Sequence, residues 1–156
     1  MEEQWLSNPA LVMPAVVIAA LWMYVGFNMI YFLAALQNVD PSLVEAARID
    51  GAGSWSTFLN VTLPSIRHVA TFVVVTSTIG SLQLFELPYA LLQQFQSNQG
   101  FGPKNSGMTI VGYLYNQGIN TGDLGMAAAV GWLLTCIILV VSLVQIRLSR
   151  TAGSDT

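Results

Sequence analysis

The chain has 156 residues, of which 54% are hydrophobic and only 8% are charged, and its formal net charge is −3. Soluble domains usually carry about 25% charged residues, so these charges are too few to cover a water-facing surface and lipid is the expected solvent. The small net charge and the lack of a basic patch argue against a nucleic-acid partner. The single cysteine, Cys136, excludes an internal disulfide and a cysteine-based metal cluster.

The first predicted membrane span covers about residues 11–36. No charged residue occurs from Gln4 to Val39, and the run exceeds the roughly 20 residues that cross a bilayer. Pro14, Gly26 and Asn28 interrupt the run, which membrane helices tolerate when neighbouring groups satisfy the backbone.

The next segment, residues 38–68, predicts a helix–glycine–helix hairpin. Asp40-Pro41 is typical of a helix start, with aspartate as the N-cap and proline at the first helical position. Ser42 and Glu45 also have capping-box spacing, so two starting residues are compatible with the sequence.

The first helix of this hairpin is predicted over Pro41 to Asp50 and stops at Gly51, because glycine adopts the left-handed conformation cheaply. A second short helix is predicted to begin at Ser54 and to end at Leu63-Pro64, where the next span starts. Large apolar residues share one face of this second helix: Trp55, Phe58 and Leu59.

Two further spans are predicted, over about residues 69–92 and 124–146. The former is interrupted by Glu86 and Pro88, whereas the latter is uncharged. Three spans and no sign of strands predict an all-α integral membrane protein.

The basic residues predict the orientation of these spans. Of the five, only Lys104 lies between the second and third runs, and the others fall on one side: Arg48, Arg67, Arg147 and Arg150. The positive-inside rule makes that side cytoplasmic, together with the C-terminus. Three spans then place Glu2 to Asn8 outside, although no basic signal segment begins the chain. We therefore expect the C-terminal part of a longer chain that supplies further spans.

One motif is specific. The run Glu45-Ala46-Ala47-Arg48-Ile49-Asp50-Gly51-Ala52, followed by Leu63-Pro64, resembles the EAA loop of binding-protein-dependent ABC permeases, which has the form E-A-A-x-x-D-G-A, a spacer and L-P. The flanks are similar to the carbohydrate-type branch of that family in five places: residues 26–29, 33–37, 102–106, 113–115 and 127–129.

The resemblance implies the C-terminal part of an ABC importer permease fold in a bacterial or archaeal cytoplasmic membrane, carrying a sugar or related polyol. It implies that the loop at residues 38–68 couples the permease to a separate cytoplasmic ATPase that binds the ATP. Further implied partners are a second permease subunit, an extracytoplasmic solute-binding protein and membrane lipid. No enzymatic activity, catalytic residue, cofactor or metal is implied for this chain. The implied loop roles are polar contact for Glu45 and Asp50, close approach for Ala46, Ala47 and Ala52, and the bend for Gly51, with Phe58, Leu63 and Pro64 in the same loop.

Several alternatives stay open at this point. Residues 38–68 would serve equally as a plain connector lying on the membrane surface. Half of an ion-gradient-driven secondary transporter would need more ionisable groups inside its spans than Glu86, and an intramembrane enzyme would need a nucleophile or metal-binding constellation. An inactive truncated permease is compatible with every pattern above. Candidates for the solute path are Asn28, Gln83 and Glu86, and the sequence does not identify the solute.

Overall fold

The computed structural model describes residues 6–93 and 101–151, and these contain helices and turns without any strand. The predicted all-α fold class is therefore confirmed for the described part. Residues 2–5 of the segment that we expect outside the membrane lie beyond it. In chain order the α-helices are α1 (Pro9–Gln37), α2 (Pro41–Ile49), α3 (Ser54–Thr57), α4 (Leu63–Ser65), α5 (Arg67–Leu82), α6 (Glu86–Leu92), α7 (Ile110–Tyr115) and α8 (Leu124–Thr151).

Within the described ranges, turns of other helical types join some of these helices. Wide π-helical turns occupy Phe58–Thr62, between α3 and α4, and Asn116–Asn120, between α7 and α8. A tight turn at Pro103–Asn105 precedes α7. The chain divides into two compact units, one made of residues 1–23 with 78–156 and the other of residues 24–77.

Among the residues that the structure describes, two helices are long and apolar enough to cross a membrane, Pro9–Gln37 and Leu124–Ser149. Their side chains are largely uncovered: Trp22 of α1 is 87% exposed and Trp132 of α8 is 73% exposed. Apolar faces of this extent are stable only against lipid or other protein. A third span is reached if Ser54–Ser65 and Arg67–Leu82, which meet at an angle of 66°, are taken together.

The second predicted run, residues 69–92, is not one continuous helix. Helix α5 ends at Leu82, α6 begins at Glu86, and Gln83 to Phe85 between them are not helical. Pro88 explains the break, because a proline ring inside a helix collides with the carbonyl four residues earlier, whereas the first turn of a new helix tolerates it. The position of this run in the membrane stays a prediction.

The unit formed by residues 1–23 and 78–156 is built around a small apolar core. Val12, Val16 and Leu92 are fully or almost fully buried and pack together, and three partly buried leucines surround them: Leu6, Leu84 and Leu91. Within the same unit α7 and the wide turn after it pack on α8, where a Cβ on Gly131 would lie 3.3 Å from Leu114 Cδ1.

The other unit, residues 24–77, joins the end of α1 to the start of α5. The Tyr31 and Phe72 rings meet edge to face, with centroids 5.6 Å apart. Asn28 Nδ2 donates a hydrogen bond to Ser77 Oγ at 3.2 Å, which satisfies a polar side chain inside an apolar helix. The hairpin predicted from the sequence lies entirely within this unit.

Candidate functional site: a helix–glycine–helix hairpin

The first helix of the hairpin starts as the Asp40-Pro41 pair predicts. Asp40 has an extended backbone, and its Oδ1 accepts a hydrogen bond from the Ser42 backbone N–H at 2.9 Å, with Pro41 at the first helical position. These hydrogen bonds from Ser42 lower the pKa of the Asp40 carboxyl below its ordinary value, because they favour the charged form. The start that the sequence left open is therefore fixed at Asp40.

The end of this helix explains the order Asp-Gly-Ala in the motif. Asp50 caps the helix, Gly51 has φ +80°, and the Gly51 N–H donates to the Arg48 carbonyl at 3.1 Å. The Ala52 N–H reaches back to the Ala47 carbonyl at 2.9 Å. These two bonds and the left-handed residue form a Schellman motif, which satisfies carbonyls that a helix end otherwise leaves unpaired.

The second helix begins at Ser54, as predicted, with Gly53 in an extended conformation as its N-cap. Thr57 is buried, and its hydroxyl donates to the Gly53 carbonyl at 3.1 Å, tying the first turn of α3 to the residue that starts it. A side-chain hydrogen bond therefore links the second helix to the short connection that follows Gly51.

The predicted end of this helix at Leu63-Pro64 agrees with the structure to within one residue. The helical backbone runs on to Ser65, and the chain bends at Ile66, which has φ −94° and ψ 3°. A widened turn before Pro64, which the sequence analysis did not predict, lets the helix include this proline. Pro64 has no N–H and its ring crowds the carbonyl four residues before it, so the backbone opens to a π-turn in which the Leu63 N–H bonds to the Phe58 carbonyl.

The hairpin divides the motif's residues into two groups. Helix α2 contacts α3 and the wide turn, and Ala47 and Ala52 are half-buried there. Their backbone also forms the Schellman motif, so both serve the hairpin's own packing. The remaining motif residues are exposed: Glu45, Ala46, Asp50, Gly51, Leu63 and Pro64.

The exposed surface of the hairpin is also strongly apolar. Ile49 is 86% exposed and Trp55 is 73% exposed, while Phe58 and Leu63 are about two-fifths exposed. The Trp55 and Phe58 rings stack with centroids 5.8 Å apart, which holds both in place. Ile49 was not among the predicted site residues. The sequence could have indicated it, because Ile49 is a large aliphatic residue directly before the Asp-Gly pair that ends a helix rich in small residues.

The predicted solute-path residues have different environments. Asn28 is half-buried and bonded to Ser77 in one unit, whereas Gln83 and Glu86 are exposed at the break between α5 and α6 in the other unit. Gln83 lies in the non-helical connection and Glu86 in the first turn of α6. These placements leave their role in a solute path as a prediction.

Comparison with known proteins decides the family. Residues 4–151 match the family model described as the binding-protein-dependent transport system inner membrane component. The chain belongs to this family. The permease AraP of the arabinooligosaccharide transport system of Bacillus subtilis is 44% identical over 147 residues, which are 94% of this chain and 45% of AraP. The lactose transport permease LacF of Rhizobium radiobacter is 40% identical over 147 residues, which are 94% of this chain and 48% of LacF.

Solved structures agree with this assignment. A bacterial ABC transporter that imports the acidic polysaccharide alginate matches with a TM-score of 0.74 at 24% identity, over 94% of this chain and 49% of that one. A second structure, of a bacterial alginate transporter in complex with a periplasmic protein bound to alginate pentasaccharide, matches with a TM-score of 0.71 at 25% identity and similar coverage. The chain spans about half the length of the curated relatives it matches.

Proposed function

We propose that this chain forms part of a permease subunit of an ATP-driven importer for a sugar or related polyol, and that residues 38–68 contact a cytoplasmic ATPase. The observation that carries the proposal is the hairpin itself. A Schellman motif at Gly51 holds α2 against α3 and leaves Glu45, Ile49 and Trp55 projecting from one compact element. A small protruding element with a few polar and a few large apolar groups is suited to a groove in another protein. Family membership and the sugar-transporting relatives support the same assignment.

In this proposal ATP is bound and hydrolysed by the partner subunit, and this chain supplies neither catalytic residue nor cofactor. Closing of the ATPase is the two-state event, and the hairpin transmits it because its ends are fixed by hydrogen bonds. Glu45 and Asp50 make polar contacts in the groove, Ala46 allows close approach, and Ile49 and Trp55 supply apolar contact. Helix α5 follows the hairpin directly and receives the motion.

The remaining parts of the proposal concern topology and assembly. The hairpin and the C-terminus lie in the cytoplasm, the N-terminus lies outside, and a second permease subunit completes the path in a bacterial or archaeal cytoplasmic membrane. Asn28, Gln83 and Glu86 are candidates for lining that path. A solute-binding protein delivers the solute from the outer side, in keeping with the family's description.

The connector alternative predicts a different environment for Ile49, and this difference provides the test. Cys136 is the single cysteine, so Ile49→Cys in a Cys136→Ala background gives one labelling site on the hairpin of the assembled importer. We expect a fluorophore at this site to be shielded when the ATPase is present and unaffected by brominated lipids. A thiol cross-linker should join the same cysteine to the ATPase. Quenching by brominated lipid, with no cross-link to the ATPase, would show that the hairpin lies on the membrane and would refute the proposal.

A further inference from the structure

The tight turn before α7 has an unusual residue at its centre. Lys104 has φ 55° and ψ 29°, Asn105 has φ 57°, and the Ser106 N–H donates to the Pro103 carbonyl at 3.2 Å. Two consecutive left-handed residues closed by such a bond define a type I′ turn. This turn prefers Asn, Asp or Gly at both central positions, because other side chains are strained there. Asn105 meets the preference and Lys104 does not.

This turn is held firmly by the core beneath it. Phe101 is fully buried, and a Cβ on Gly112 would lie only 2.6 Å from Phe101 Cε1, so the two segments are in close contact. Gly107 lies equally close to Leu92, with no room for a Cβ. The Gly107 N–H donates to the Phe101 carbonyl at 3.0 Å and closes the loop at its base. The turn is therefore anchored on the core of the unit that contains residues 78–156.

Lysine is an uncommon residue at this position of the turn. Lys104 is exposed. Its backbone conformation costs stability relative to asparagine or glycine at the same place. Strain held at an exposed residue indicates a functional role for its side chain. What lysine offers here, and asparagine does not, is a positive charge on a fixed support.

The position of this charge indicates the partner. Lys104 is the single basic residue between the second and third apolar runs, so the proposed topology places it on the outer side. We propose that Lys104 is an electrostatic docking contact for a carboxylate-bearing surface of the solute-binding protein. This inference rests on the proposed function, because the orientation and the partner both belong to it.

The test uses the assembled importer in lipid nanodiscs together with its solute-binding protein. The readout is the concentration of binding protein that gives half-maximal stimulation of ATP hydrolysis. Lys104→Gln removes the charge and keeps the strained turn, Lys104→Asn removes the charge and relieves the strain, and Lys104→Arg keeps both. We expect the half-maximal concentration to rise about 2- to 5-fold in the Gln and Asn variants, the range for one exposed ion pair. The Arg variant should match the wild type, and the maximal rate should be unchanged in all three.

Salt and stability separate the charge from the shape of the turn. The difference between Lys104→Gln and wild type should disappear at about 0.5 M salt, because exposed charges are then screened. Lys104→Asn should melt no lower than the wild type while showing the same loss as Lys104→Gln. Wild-type half-maximal concentrations in both uncharged variants at low salt would overturn the inference.

Two further outcomes are distinguishable from that one. If the loss appears only in nanodiscs with anionic lipid, Lys104 contacts lipid phosphate, and the inference is overturned. If wild-type importer shows no ATP-dependent uptake and no response to binding protein, the proposed function fails and the inference falls with it.

Discussion

Gly51 offers the sharpest perturbation of the hairpin. Its φ is +80°, and a Cβ built on it meets no atom within 4 Å, so any cost of a side chain comes from the backbone and not from a collision. Gly51→Val places a β-branched residue in the left-handed region, at a cost of about 1–3 kcal/mol. The equilibrium constant for forming the Schellman motif at the end of α2 therefore falls roughly 5- to 150-fold, because 1.4 kcal/mol corresponds to about a tenfold change. Helix α2 has nine residues and is marginal alone, so such a loss disrupts it.

The assay is ATP-dependent uptake and substrate-stimulated ATP hydrolysis by the reconstituted importer. We expect uptake to collapse in Gly51→Val while the protein still inserts into the membrane in normal amount. Gly51→Asn should retain much of the activity, since asparagine tolerates positive φ.

Gly53 provides a matched control two residues away. It has φ −69° and open space around it, and serine is a favoured N-cap, so Gly53→Ser should be near wild type. Glu45→Ala removes one exposed polar contact and leaves the bend, so its effect should be a few-fold at most. Normal uptake by Gly51→Val at normal expression would refute the coupling role and favour the connector alternative.

Three other predictions concern the cap, the helix packing and the topology. The hydrogen bonds from Ser42 hold the pKa of Asp40 below its ordinary value, so the cap stabilises α2 above that ordinary value and is lost as the pH falls through the lowered pKa. Protection of the first-turn amides from hydrogen exchange should fall over the same pH range, but not in Asp40→Asn. Thr78→Val removes the hydroxyl that accepts a hydrogen bond from the Gln145 side-chain amide at 2.8 Å, and thermal denaturation should show a loss of stability of about 0.6–2 kcal/mol. Thr76→Val is the control: it loses only hydrogen bonds to carbonyls of its own helix, so it should lose less stability. Alkaline phosphatase fused after Thr156 should be inactive, and an active fusion would contradict the proposed orientation.

The sequence predicted those features that depend on one residue's own chemistry. The cap at Asp40 and the stop at Gly51 follow from side-chain hydrogen bonding and from positive φ, and both are found in the structure. The all-α class followed from long apolar runs in the same way. Local rules of this kind need no knowledge of distant packing.

Features that depend on how a helix accommodates proline were predicted less well. Pro64 follows a widened turn that was not predicted and lies in the last turn of its helix, whereas Pro88 lies in the first turn of a new helix that begins at Glu86 after a break. The same residue type gives opposite results because neighbouring backbone bonds decide whether the helix opens or stops. The exposure of Ile49 was missed because exposure depends on which face of α2 packs on α3.

The bend at Ile66 gives the hairpin a mechanical consequence. Two helical arms meet there at 66°. At a rise of 1.5 Å per residue, Arg67–Leu82 is about 24 Å long, and Ser54–Ser65, which contains a widened turn, is at most about 18 Å long. If the angle between the two arms stays fixed, they rotate together about Ile66. A rotation of about 5° imposed on the short arm then moves the far end of the long arm by roughly 2 Å. In the proposed topology, a small push on the hairpin would thereby become a sideways displacement of the far end of Arg67–Leu82.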